Sequence, residues 1–231
     1  MKIKRVAVLS AAVLGATLSS AALADVGVGL RAGTFGIGAE FDAGLTETLN
    51  LRVGYNTFSY SDTYNDTEIT YDGKLKIGAA SALLDWHVFH GGFRLSFGAV
   101  QKGPKIDLVA KPNANSTFEI DGVTYTASQI GNATGTIKVG DSVAPYLGIG
   151  WGNTVDKEDR VTFLFDLGVI KTGSPKINLN FTCNATISGT SGDPTCAQFN
   201  ARIAEEKAKL EDTAKDYEWY PVVALGFAVR F

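Results

Sequence analysis

Tyr220-Pro221-Val222-Val223-Ala224-Leu225-Gly226-Phe227-Ala228-Val229-Arg230-Phe231 closes the sequence, and its alternation decides the fold. Successive side chains of a β-strand point to opposite faces. Val223, Leu225, Phe227, Val229 and Phe231 therefore share one face, and Ala224, Gly226, Ala228 and Arg230 share the other. One face is greasy, the other small or polar.

The same split recurs upstream. Ile37, Ala39, Phe41, Ala43 and Leu45 alternate with Gly38, Glu40, Asp42 and Gly44, and Leu49, Leu51, Val53 and Tyr55 with Asn50, Arg52 and Gly54. Further copies are Leu75, Ile77 and Ala79 against Lys74, Lys76 and Gly78, and Phe93, Leu95 and Phe97 against Arg94, Ser96 and Gly98. Two more follow: Pro145, Leu147, Ile149 and Trp151 against Tyr146, Gly148 and Gly150, then Val161, Phe163, Phe165, Leu167 and Val169 against Thr162, Asp166 and Gly168. With a short opening strand over Val26–Gly33, the pattern predicts an all-β chain of eight antiparallel strands. The alternation loses its register after Ser81, where Leu83, Leu84, Asp85 and Trp86 suggest a bulge.

Connection lengths support a membrane-spanning barrel. Short turns near 46–48, 90–92 and 153–159 alternate with longer connections near 61–67, 111–133 and 174–215, and only the tight connection near Thr34 breaks the rule. Bacterial transmembrane barrels have this asymmetry, with short periplasmic turns and longer extracellular loops. A soluble barrel that carries its apolar face inward around a ligand is the structural rival. Against it, the polar register holds Arg31, Glu40, Asp42, Arg52, Lys74, Lys76, Arg94, Asp166 and Arg230 among many glycines. Glycine makes room for long charged side chains in a narrow lumen, whereas Arg or Lys facing lipid at the midplane costs ~2–4 kcal/mol each. Those nine residues are the expected lumen charge network. Trp86, Trp151, Trp219 and Tyr220 fall near strand ends, where aromatic rings favour the bilayer interface.

The N-terminus reads as an export signal. Lys2, Lys4 and Arg5 precede an uncharged apolar run over 6–18, and Ala22-Leu23-Ala24 follows. The run is shorter than the ~20 residues a membrane helix needs. Cleavage is expected near Ala24, giving a signal over 1–24 and a barrel domain over 25–231 that starts at Asp25, with no cysteine there for a lipid anchor. Removal of the three basic residues takes the formal charge from −3 to −6. The remaining cations form no run, so nucleic acid is not an expected partner. Twenty-six Gly and 13 Phe beside a single Met fit many strands and turns with little interior helix.

The final twelve residues resemble the terminal strand of bacterial outer-membrane proteins, which ends in an aromatic residue after alternating apolar positions. That resemblance implies recognition of Val223, Leu225, Phe227, Val229 and Phe231 by the barrel-assembly machinery, and residence in the outer membrane against lipids and lipopolysaccharide. Length and strand count are similar to the small eight-stranded barrels related to the OmpA transmembrane domain, OmpX and Opa proteins. The cell-wall-binding domain of full-length OmpA is not expected, since the sequence stops at Phe231.

Little here points to catalysis. The only histidines, His87 and His90, flank a predicted periplasmic turn, whereas an outer-membrane lipid-modifying enzyme would place His and Ser toward the outer leaflet. Ser81 and Asp85 lie nearby, but strand spacing alone makes no triad. No enzymatic activity, cofactor or metal is expected. A three-residue turn after Leu45 would set Asp42 opposite Arg52 as an ion pair inside the barrel. Such charges either fill the lumen or gate a narrow water path; filling is favoured, because eight strands leave an interior occupied by side chains.

The loops carry the remaining candidates. Cys183 and Cys196, the only cysteines, flank a Gly-, Ser- and Thr-rich stretch and read as a loop disulfide. Residues 121–125 suggest a small hairpin. A helix is expected over 197–215, capped by Asp193 with Pro194 in its first turn, and with Phe199, Ile203, Leu210 and Ala214 as a weak apolar stripe. The function classes that follow are an envelope-structural or surface-interaction role with an unidentified extracellular ligand, then a channel for small or hydrophobic solutes, then a lipid-modifying enzyme. Asn-x-Thr triplets at Asn65, Asn115, Asn132 and Asn184 are ordinary loop chemistry in a bacterium.

Overall fold

A computed structural model describes residues 25–65, 69–101, 103–113, 116–120, 122–127, 129–139, 143–156, 159–183 and 196–231. The expected export signal and the expected helix cap at Asp193 and Pro194 lie outside the described residues. In chain order the elements are β1 (Val26–Gly33), β2 (Gly36–Gly44), β3 (Leu49–Asn65), β4 (Ile69–Trp86), β5 (Phe93–Gln101), β6 (Lys105–Pro112) and β7 (Thr117–Ile120). They continue with β8 (Val123–Thr126), β9 (Ile130–Lys138), β10 (Val143–Trp151), β11 (Val161–Lys171), β12 (Lys176–Cys183), α1 (Cys196–Ala214) and β13 (Trp219–Arg230).

Eight of these strands close a ring in the order β1, β2, β3, β4, β5, β10, β11 and β13, with β13 returning to β1. Every contact in the ring is antiparallel, and the closing seam pairs Leu30 with Phe227 and Ala32 with Leu225. Closure satisfies the backbone groups that an open edge would leave bare in lipid. The terminal register behaves as its alternation implies. Val223, Leu225, Phe227, Val229 and Phe231 are exposed on the barrel exterior, while Val222, Gly226 and Ala228 are buried. Leu30 and Ile37 are each 67% exposed, an arrangement that suits lipid and not water. Trp86, Trp151 and Trp219 are exposed at strand ends, and Lys171 lies over the Trp219 ring.

The longer connections form a second structure outside the ring. β3 and β4 run past the barrel as one hairpin, and the outer part of β4 leaves β5 to pair with β6, followed by β9 and β12. The stretches expected as loops over 111–133 and 174–215 thus contain strand: β9 begins within the first and β12 within the second. β7 and β8 form the small hairpin expected around 121–125. The helix expected over 197–215 is α1, packed on β12 through Phe199 against Phe181, with Phe199 and Ile203 buried in one cluster with Tyr125 of β8 and Ile130 of β9. Leu210 in the same stripe is exposed, because only the first turns of α1 reach the sheet. Cys183 and Cys196 form a disulfide, Cα to Cα 5.9 Å, tying the end of β12 to the start of α1.

The bulge expected after Ser81 is absent: β4 pairs continuously with β3 from Leu49 opposite Trp86 to Asn65 opposite Thr70. The chemistry of the strand inverts instead. Near the periplasmic end its outward residues are Trp86, Leu84 and Ala82, with Asp85 turned inward. Further out, the inward register carries Ala79, Ile77 and Leu75, and Lys76, Lys74 and Asp72 face the other way. β3 inverts in step, from Leu51 and Val53 outward to Ser59, Ser61 and Thr63 outward. A hairpin that leaves lipid for water needs this exchange, since its outer face meets hydrocarbon below and solvent above. Lys74 and Lys76 are accordingly not lumen residues. Lys76 pairs with Asp107 of β6 at 3.2 Å on the exposed face, where Lys111 also meets Asp72 at 2.8 Å. Lys105, with Lys76 and Thr136, holds the Asp107 carboxyl down at about 2.

Candidate functional site in the barrel lumen

Three guanidiniums and four carboxylates meet inside the ring. Arg31 comes from β1, Glu40 and Asp42 from β2, Arg52 from β3, Asp85 from β4, Arg94 from β5 and Asp166 from β11, and all seven are buried. Each occupies an inward register position, so strand alternation alone brings them together. Asp166 is the hub. It accepts hydrogen bonds from Arg94 at 3.0 Å and Arg52 at 3.3 Å, and from Arg31. Arg52 also pairs with Asp85 at 2.8 Å, Arg31 with Glu40, and Ser96 donates to Asp85. Glycine makes this density possible: a Cβ on Gly150 would stand 2.9 Å from both Arg94 Nε and Asp166 Oδ1.

Register sets Asp42 opposite Arg52, yet no ion pair forms between them among the described residues. Arg52 turns to Asp85 and Asp166, leaving Asp42 Oδ2 buried without a hydrogen-bond partner. Arg230 stands apart at the periplasmic rim beside Asp25, 3.3 Å away and partly exposed. It is not part of the central network, because the last inward position of β13 lies at the mouth. Asp85 and Ser96 belong to the site but are not among the nine expected lumen residues. Trp86 is the signal that could find Asp85, since a ring at the lipid interface turns its chain neighbour inward.

Both ends of the lumen are filled. On the periplasmic side His87 is buried against Asn50, which also donates to Asn153 Oδ1 at 2.9 Å, and Thr154 and Val155 of the same turn are buried beneath the ring. Gly91 O can only accept, so the 2.9 Å contact fixes the proton on His87 Nδ1, leaving Nε2 to accept from Asn50 at 3.1 Å. Burial pushes His87 below its ordinary pKa. Both ring nitrogens are thereby engaged in structure. On the outer side Phe35, at the tip of the tight β1–β2 connection, stacks on Tyr220 and packs with Ile77, Leu83, Val100, Tyr146, Ile170 and Val222. Gly36 permits that turn with φ 87°. Between the apolar and charged layers lies a cavity of about 50 Å³, bordered by Phe35, Tyr146, Arg31 and Asp166.

No protein-family model and no curated protein matches the chain. Among solved structures, Acinetobacter baumannii CarO2 superposes with a TM-score of 0.58 at 22% identity, over 90% of this chain and 99% of that one. CarO of the same organism gives 0.57 at 21% identity, over 90% and 98%. The fold is that of an outer-membrane β-barrel. A major outer membrane protein from Thermus thermophilus aligns with a TM-score of 0.40 and 14% identity over 90% of this chain. The two Acinetobacter likenesses carry the architecture of an outer-membrane protein. They do not single out the OmpA, OmpX or Opa relationship that length and strand count suggest.

Proposed function

We propose that this barrel is a non-enzymatic, plugged outer-membrane protein that anchors and displays its extracellular sheet and helix, in an envelope-structural or surface-interaction role. The observation that carries this reading is the filled lumen. A charged layer, an apolar layer and an inserted periplasmic turn leave a cavity of about 50 Å³, room for a few waters among packed side chains. Buried, multiply paired charges fix side chains in place, because removing a partner strands the other charge. The outer assembly, by contrast, is held by its own disulfide and apolar cluster, as a displayed module needs to be. Outer-membrane lipids and lipopolysaccharide surround such a barrel, and the assembly machinery reads its terminal strand.

Planar-bilayer recordings of refolded protein test the reading. The expected result is the absence of a stable large conductance. A stable conductance that rises when Phe35 or Arg94 is cut back to alanine would replace display with transport.

A further inference from the structure

We propose that the outer half of β3 is a docking edge for an extended polypeptide segment of another protein, added as a further strand to the extracellular sheet. The inference rests on the surface-interaction reading above. β2 pairs with β3 only as far as Ile37 opposite Thr57. Beyond that point β3 continues to Asn65 with β4 on one side and, among the described residues, no strand on the other.

The turns fix which backbone groups face the open side. Leu45 N–H donates to Leu49 O across the β2 side, and His87 N–H donates to Thr48 O across the β4 side. Backbone direction alternates along a strand, so odd-numbered residues of β3 point toward the β2 side. Between Thr57 and the strand's last residue these are Ser59, Ser61 and Thr63. Asp62 Oδ1 takes the Thr63 N–H at 2.9 Å, which leaves the amides of Ser59 and Ser61 and the carbonyls of all three aimed outward.

Edge strands are ordinarily blunted by lysine, proline or a bulge. The stretch Phe58-Ser59-Tyr60-Ser61-Asp62-Thr63-Tyr64-Asn65 has none of these and a single charge, Asp62, whereas lysines stand on the strands inside the sheet, at Lys74, Lys76, Lys105 and Lys111. Tyr60 and Tyr64 lie on one face of the same strand, 56% and 66% exposed, and offer ring surface to alternate side chains of an arriving strand. Open ladder and aromatic face together are what strand addition uses: main-chain bonds for affinity and alternate side chains for specificity. A second copy in the same membrane cannot supply an antiparallel strand here. Two barrels in one membrane project β3 in the same direction, which excludes an antiparallel ladder between them.

The test selects a phage-displayed random octapeptide library on the refolded full chain in nanodiscs, then measures the recovered peptides against Ser61→Pro and Ser59→Lys variants. Proline at position 61 removes only an outward amide, and gel heat-modifiability reports whether either variant folds. The expected result is enrichment of peptides with alternating β-branched or aromatic residues. Their binding should fall at least tenfold on each folded variant, and they should slow hydrogen exchange at Ser59 and Ser61. Failure to enrich such peptides, binding unaffected by both folded variants, or concentration-dependent dimerisation through this edge would overturn the proposal. Failure of the display reading is seen separately, as channel conductance or as lack of labelling of a Ser61→Cys variant by an impermeant maleimide on intact cells.

Discussion

Arg52 is the residue on which the lumen turns, since it engages Asp85 and Asp166 while being almost wholly buried. Cutting it to Met leaves both carboxylates short of a partner in a buried site. Arg52→Met should therefore cost about 3–5 kcal/mol in urea unfolding of the refolded barrel. Asp42→Asn should cost nothing measurable or stabilise, because Asp42 Oδ2 has no partner to lose. An equal loss in both variants would contradict the assignment. His87 supplies the pH dependence. Its folded pKa lies below that of the unfolded chain, so below pH ~6.5 the unfolded state binds the proton more readily and stability falls as pH drops. His87→Gln should flatten that part of the stability profile, measured by urea titration from neutral to mildly acidic pH.

At the scale of elements, the inversion of β3 and β4 makes two positions of one face unequal. Val53 and Ser61 share the outward register of β3, but Val53 faces lipid and Ser61 solvent. Val53→Arg should destabilise by about 2–4 kcal/mol near the midplane, and Ser61→Arg should stay within about 0.5 kcal/mol. Seven of the eight ring strands are legible in the sequence with their lipid faces, because lipid enforces an apolar register over each span; β4 is placed, but its lipid face at Ala82, Leu84 and Trp86 is misread. What is not legible follows from the same physics. β6, β9 and β12 lie outside the membrane, where one face of the sheet is polar and the other is only partly covered, so their alternation is weak. Lys74 and Lys76 mislead because Leu75, Ile77 and Ala79 imitate a lipid face while packing inward. Of the charged site, Arg31, Glu40, Asp42, Arg52, Arg94 and Asp166 are readable from parity alone. Which carboxylate each guanidinium takes depends on side-chain reach across the lumen, and pairing between neighbouring strands does not reveal that Arg52 passes Asp42 for Asp85.

For the whole molecule, polarity is layered along the axis: a polar turn at the periplasmic mouth, a charge network, an apolar outer core, and then an amphipathic sheet with its helix above the membrane. Each layer is coherent only if the ring is closed in lipid, because the same exterior in water would expose Leu30, Ile37, Phe163, Leu225 and Phe227 together. Fractionation of cells expressing the chain, combined with gel migration before and after boiling, puts this most directly to the test. Recovery in the outer-membrane fraction is expected, with an unboiled band that migrates differently from the boiled one. Recovery as a soluble periplasmic protein with no heat-dependent shift would contradict it.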